Sequence, residues 1–209
     1  IYLLYSSSNS ISGNNITANN GYGICLYSSS NNSISGNNIA NNHGGICLSA
    51  YAYSSSDNSI SGNSIANNGY GIYLLYSIST SIYHNSFIDN INEVYVDGEG
   101  SHNNIWDDGY PSGGNYWSDY FGVDEKSGPN QDLPGSDGLV DTPYAIDADN
   151  QDNYPLMKPY GGPHDIGIIN IATSKTVIRQ GDNLSITVKI INYGTNNETF
   201  NVTTYADII

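Results

Sequence analysis

The sequence is poor in cations. Lys and Arg together number 5 among 209 residues against 20 Asp and Glu, for a formal net charge of −15, and neither basic residue occurs before Lys126. Phosphate recognition needs clustered positive charge, so no nucleic acid is expected as a partner. The same deficit disfavours anionic membrane surfaces. Long apolar runs are absent too: none approaches the roughly 18 residues needed to cross a bilayer, and no direct membrane insertion is expected. No stretch has helical periodicity. Apolar residues make up 38%, below the roughly 45–50% of ordinary globular domains, and such a composition alone would suit disorder. The opening residues carry no signal-peptide pattern. Because Ile1 already sits inside a repeat, further coils and any export signal are expected upstream.

What the sequence has is a repeat. Ile11-Ser12-Gly13-Asn14-Asn15-Ile16 returns as Ile34-Ser35-Gly36-Asn37-Asn38-Ile39 and as Ile60-Ser61-Gly62-Asn63-Ser64-Ile65, with weaker copies at Ile82–Phe87 and from Ile105. The period is about 23 residues. A second marker keeps the same phase: Ile1-Tyr2-Leu3, Ile24-Cys25-Leu26, Ile46-Cys47-Leu48, Ile72-Tyr73-Leu74 and Val94-Tyr95-Val96. Each unit therefore holds three very short strands separated by Asn, Ser and Gly turns. None can bury itself alone. Stacking puts each strand beside its copy one coil away, roughly 4.8 Å along the axis, and lines the interior with Ile and Leu. The fold class is all-β: a right-handed parallel β-helix of about five coils over residues 1–105. Asn14, Asn37, Asn63 and Asn85 are expected to stack in one turn, and Asn20, Asn42, Asn68 and Asn90 in another, bonding coil to coil. Residues 106–159, acidic and rich in aromatics, follow the last coil as a cap for its open strand edges.

These residues resemble a known family. The Asn-rich coils look like the β-helix repeats of the NosD family, associated with periplasmic copper-enzyme maturation and with a wider set of carbohydrate-binding proteins and sugar hydrolases. Gly114-Asn115-Tyr116-Trp117-Ser118-Asp119-Tyr120, Asp141-Thr142-Pro143-Tyr144 and Asp152-Asn153-Tyr154-Pro155-Leu156-Met157 are similar to the C-terminal end of such helices in archaeal surface proteins. After a Pro/Gly linker at 160–163, residues 164–209 alternate as antiparallel strands do and resemble the start of a CARDB-type adhesion domain, an immunoglobulin-like β-sandwich here incomplete. The resemblances imply a non-catalytic structural or adhesive module, extracellular or at the cell surface, with glycans or other surface proteins as partners. A polysaccharide hydrolase or lyase with its site in missing coils is the competing class. A copper-related periplasmic role is a third.

The chemistry-bearing residues are few. Of the 20 acidic residues 11 lie between Asp107 and Asp152. A hard cation needs about six to eight converging oxygens, so calcium is the candidate cofactor, with Asp137, Asp141, Asp147, Asp149 and Asp152 as candidate ligands. No catalytic residue is assigned. A glycosidase needs two carboxyls facing one sugar, and Asp57, Asp89, Glu93, Asp97 and Glu99 show no evident stacked partner. A lyase base is missing from the coils for want of Lys or Arg. Exposed aromatics stack on sugar faces, which makes Tyr51, Tyr53, Trp106, Tyr116 and Trp117 the candidate carbohydrate contacts. Cys25 and Cys47 occupy one position on adjacent coils, pointing outward, with Tyr2, Tyr73 and Tyr95 continuing the column. A disulfide, a plain stacked pair and a soft-metal site such as copper are all open there. Sequons stand at Asn15, Asn31, Asn183, Asn197 and Asn201. His43, His84, His102 and His164 fall at unrelated points of the repeat and read as turn or surface residues.

Overall fold

The computed structural model describes residues 1–50, 54–97, 100–161, 166–174 and 185–192. Every regular element among them is a β-strand. The chain divides into two compact units, Ile1–Tyr160 and Gly161–Ile209.

The first unit is a parallel β-helix. One five-stranded sheet stacks Tyr2–Leu4, Tyr22–Tyr27, Gly44–Ser49, Tyr70–Leu75 and Asn92–Asp97. A second, four-stranded, stacks Ser10–Ser12, Ser33–Ser35, Ser59–Ser61 and Ser81–Tyr83. A third, five-stranded, stacks Asn15–Thr17, Asn38–Ala40, Ser64–Ala66, Ser86–Ile88 and Tyr116–Trp117. The registers align the apolar triplets as the repeat requires: Ile24, Ile46, Ile72 and Val94 form one column. Ile11, Ile34, Ile60 and Ile82 form another. The third runs Ile16, Ile39, Ile65, Phe87, Trp117. Each fully buried aliphatic side chain contributes about 1.5–3 kcal/mol, which is how strands of three residues persist.

The coils number about four, not the five that spacing suggests, because the second sheet stops at four strands. The weak copy at Ile105 is only bridged to Ser81, and Ile105 is 51% exposed. Trp106, one residue later and 1% exposed, fills the core in its place.

Corners are held by amide ladders. Asn14, Asn37, Asn63, Asn85 and Asn115 form one, each side-chain oxygen accepting both the backbone N–H and the side-chain N–H of the Asn one coil below. The second ladder begins at Asn19, not Asn20, and continues through Asn42, Asn68 and Asn90. Asn19, Asn42, Asn68 and Asn90 each lie five residues after their counterpart in the first ladder, an offset that Asn20 does not share. A third ladder, Asn9, Asn32 and Asn58, occupies the remaining corner. Gly13, Gly36 and Gly62 sit at φ between +62° and +66°, the left-handed turn that the Ser-Gly-Asn motif supplies, and His84 takes the same place in the next coil at φ +58°.

Residues 106–160 close the last coil. Trp117 stacks on Phe87 (4.4 Å between centroids, 5° between planes) and Tyr144 on Trp117 (4.3 Å, 10°), so an aliphatic column ends in three stacked rings. Two motifs dock through main-chain bonds: Gly114 N–H to the Tyr154 carbonyl (2.7 Å) and Leu156 N–H to the Asn115 carbonyl (2.9 Å). The division into units falls between Tyr160 and Gly161, so this cap belongs with the coils. In the second unit the described part is one antiparallel hairpin, Ile166–Thr173 with Ile186–Asn192, bulged between Ile168 and Asn170.

Candidate functional site

The outward column of the first sheet is Tyr2, Cys25, Cys47, Tyr73, Tyr95, in register coil after coil. Alternation dictates this, since the flanking Ile and Leu of each strand point inward. Beside it Tyr22, His43 and Tyr70 complete a continuous aromatic surface. Tyr73 stacks on Tyr95 at 5.4 Å and 12°, Tyr70 meets Tyr95 at 5.5 Å edge-on, and Tyr22 reaches Tyr73 at 5.9 Å. His43 lies edge-on to both Tyr22 (6.0 Å) and Tyr70 (6.1 Å). Tyr22 can lean this way because Gly44 is directly above it: a Cβ at position 44 would collide with the tyrosine ring. The Tyr73 hydroxyl donates to Asp97 Oδ2 at 2.7 Å, placing a carboxylate at the rim. Burial, together with Cys47 and Tyr70, pushes the Tyr22 phenol up to about 12, and burial with the Asp97 contact raises Tyr73. Both rings are neutral hydrogen-bonding phenols at physiological pH.

Beneath these rings lie two free thiols. Cys25 is half-buried, while Cys47, although it points outward, is buried. The two thiols hydrogen-bond each other, and Ser49 contacts both; the contact with Cys47 lowers the Cys25 pKa, whereas the contact with Cys25 and burial raise that of Cys47.

The other aromatic candidates sit elsewhere. Trp106 and Trp117 are 1% and 2% exposed and belong to the core, so neither offers a face to a sugar; the expectation that the aromatic cluster of the cap is a binding surface is corrected for both. Tyr116 is half-buried. Tyr51 and Tyr53 lie outside the described residues. A shallow groove runs along Gly13, Gly36 and Gly62 and ends at Tyr83, His84 and Tyr160, with Tyr160 stacked on His84 at 4.3 Å and 3°.

Residues 1–122 match the family model described as periplasmic copper-binding protein (NosD). The chain belongs to the NosD family. No curated protein and no solved structure matches it.

Whether this NosD-family chain can hold a metal depends on its donors. Among the described residues no three His, Cys, Asp or Glu side chains are grouped to hold an ion. Of the five aspartates expected as calcium ligands, Asp137, Asp141, Asp147 and Asp152 accept from N–H donors, while Asp149 is exposed and donates its backbone N–H to Asp147. Asp137 accepts from Gln131, Gly128 and Leu139, and Asp141 from the backbone of Glu125 and Lys126. Asp147 accepts from Asp149 and Asn150. Asp152, fully buried, accepts Asn115 N–H (2.7 Å), the Trp117 indole (2.9 Å) and Tyr154 N–H (3.1 Å). The structure does not bring the five together. Their carboxylates tie loops to the cap, a role that Asp-rich, Gly-rich sequence signals as readily as ion binding. Copper is a different test, because Cu(I) prefers soft sulfur donors and needs few of them. The Cys25–Cys47 pair fits that requirement.

Sequence reasoning placed Tyr2, Tyr73 and Tyr95 in one column but missed Tyr22, His43 and Tyr70 as their companions. The signal was available in the register, where Tyr22, Gly44 and Tyr70 align.

Proposed function

We propose that this chain is an exported, non-catalytic scaffold whose tyrosine surface on the first sheet binds glycan. The observation that carries the reading is the contiguity of Tyr22, His43, Tyr70, Tyr73 and Tyr95 on one outward face, with Asp97 at its edge. Aromatic faces offer apolar area to the C–H face of a sugar at low entropic cost, and a neighbouring carboxylate accepts sugar hydroxyls. The β-helix holds the rings at fixed spacing, so little ordering is required on binding. The family's periplasmic description supports a location outside the cytoplasm. In this reading Gly161–Ile209 opens a CARDB-type adhesion domain, whose resemblance favours a cell-surface location.

The test is a glycan array followed by titration of the best glycan against Tyr73→Ala and Tyr95→Ala. Each is expected to weaken binding at least about tenfold with the unfolding midpoint little changed. Unaltered affinity in both would remove the surface from consideration. Cleavage products from a polysaccharide screen, abolished by Glu93→Gln, would instead place the chain among carbohydrate-active enzymes.

A second reading takes up the family's copper-binding description. The observation in its favour is the register that sets Cys25 directly opposite Cys47 on adjacent coils.

A further inference from the structure

We propose that Asn20 is a site of spontaneous deamidation, at which the backbone nitrogen of Gly21 closes on the side-chain amide, while the same pair at Asn68 and Gly69 is locked against it. The inference is independent of both glycan and copper binding.

The two pairs share one local sequence. Ala-Asn-Asn-Gly-Tyr-Gly-Ile runs from Ala18 to Ile24 and again from Ala66 to Ile72, so any difference in reactivity between them comes from the fold. The fold treats them differently because the first coil carries one extra residue. Register sets Ile16 in line with Ile39, Ile65 and Phe87, and Tyr22 in line with Gly44, Tyr70 and Asn92. Four residues lie between these points in the second, third and fourth coils, and five in the first. The ladder fixes Asn19 against Asn42, so the surplus falls at Asn20 and Gly21, which together span the place that His43, Gly69 and Ile91 each fill alone. Both residues are exposed, and neither the Asn20 side chain nor the Gly21 N–H has a hydrogen-bond partner among the described residues. A Cβ added at Gly21 would meet nothing within 4 Å.

Asn68 is the opposite case, at 1% exposure. Its Oδ1 accepts from the backbone N–H (2.9 Å) and the side chain (3.1 Å) of Asn42, and its own side-chain N–H groups donate to the Ile39 carbonyl (3.1 Å) and Asn90 Oδ1 (2.9 Å). The Gly69 N–H donates to the Asn42 carbonyl at 3.3 Å, and a Cβ at Gly69 would strike the His43 carbonyl. Neither reacting group can turn toward the other without breaking the ladder.

Glycine is the most permissive successor for this reaction, because no Cβ hinders the approach of its nitrogen to the carboxamide carbon. Solvent base takes the Gly21 amide proton, the nitrogen attacks Asn20 Cγ, and a C–N bond forms. The side-chain nitrogen leaves as ammonia, with its two hydrogens and a third from solvent, and a five-membered imide remains. Water opens that ring at either carbonyl, giving aspartate or the backbone-lengthened isoaspartate. One water is consumed and one ammonia released, with no redox step. The product adds a negative charge to a chain already at −15, two residues before Tyr22, and the open space around Gly21 accommodates the longer backbone.

The full chain would be held for days at mildly alkaline pH, folded or in urea, and digested with chymotrypsin, which cuts after Tyr22 and Tyr70 and so puts the two asparagines in separate peptides. Mass spectrometry reads the exchange of NH2 for OH in each, and an isoaspartyl methyltransferase reads the isoaspartate. In the folded chain Asn20 is expected to convert at least about tenfold faster than Asn68, which reacts only through local opening of its ladder. In urea the two rates should agree within about twofold, since the sequences are the same and the ladder is gone. Gly21→Ala, which fits the open space, should slow conversion of Asn20 at least about tenfold with the unfolding midpoint unchanged. Equal rates at Asn20 and Asn68 in the folded chain, or no conversion of Asn20, would overturn the proposal. An undiminished rate in Gly21→Ala would overturn it as well, because attack by that nitrogen would then be excluded.

Discussion

The indole N–H of Trp117 and the backbone N–H of Asn115 donate to the same oxygen of Asp152, at 2.9 and 2.7 Å. That carboxylate joins the end of the coil stack to the far end of the cap, 35 residues on. Gly114 makes the approach possible, since any Cβ there would collide with the Asp152 carboxyl. Asp152→Ala leaves several buried donors unpaired, each worth about 1–3 kcal/mol, so a loss of about 3 kcal/mol or more is expected in denaturant unfolding followed by tryptophan fluorescence. Gly114→Ala should destabilise comparably. A change under about 1 kcal/mol in both would show that the cap is held by ring stacking alone.

The same group makes stability depend on pH. Desolvation pushes Asp152 up to about 7 against the pull of its N–H donors, so in the folded chain it binds a proton that the unfolded chain would release. A carboxyl raised in this way contributes stability that is fully present below its unfolded pKa, near 4, and is lost as pH rises through about 7. Burial raises Glu93 in the same direction. Unfolding midpoints are expected to rise on going from pH 8 to pH 5. Asp152→Asn should flatten that slope; an unchanged slope would mean that Asp152 stays ionised throughout.

How legible the molecule was in its sequence follows from what the repeat controls. The Ile and Leu columns could be read because side chains alternate across a strand and the period fixes which copies meet. The ladder of Asn14, Asn37, Asn63 and Asn85 was readable for the same reason. Asn19 and Asn20 are adjacent, and only the five-residue spacing from Asn14 separates them. Ile105 misled because its apolar character matches the repeat, while the larger Trp106 gains more by taking the interior. In the cap, where no period operates, acidic residues and aromatics could be counted but not placed. Asp152 and Trp117 looked like surface groups until their bond showed each to be the reason the other is buried. Tyr22 needed a tertiary fact, that Gly44 leaves room for its ring.

The ladders themselves are expected to dominate coil stability. Asn63 is 2% exposed; its side-chain oxygen accepts from the backbone and side chain of Asn37, and its N–H donates to Ile34, Ser61 and Asn85. Asn63→Ala should cost at least about 3 kcal/mol, and Asn63→Asp more, because it replaces a satisfied donor with a buried charge facing carbonyl oxygens. The exposed Asn15, which accepts one bond from Asn38, should tolerate Ala within about 0.5 kcal/mol. Equal effects at the two positions, measured by thermal or urea unfolding, would contradict the ladder as the source of stability.

The covering of Cys47 is expected to rest on one glycine. Tyr22 lies over Gly44 and its ring meets Tyr73, and in this arrangement Cys47 is 4% exposed. Gly44→Ala puts a methyl group where the Tyr22 ring now sits. The ring is the flexible member and should swing outward at small cost in stability, opening a path to the sulfur. Cys47 should then react with a disulfide reagent several-fold faster, an effect reproduced by Tyr22→Ala, while Cys25, already half-exposed, changes little. The two rates are separable by mass spectrometry of the labelled chain. If neither substitution accelerates labelling of Cys47, protection comes from the neighbouring coils and not from the ring, and the tyrosine surface and the thiol pair are independent features of the sheet.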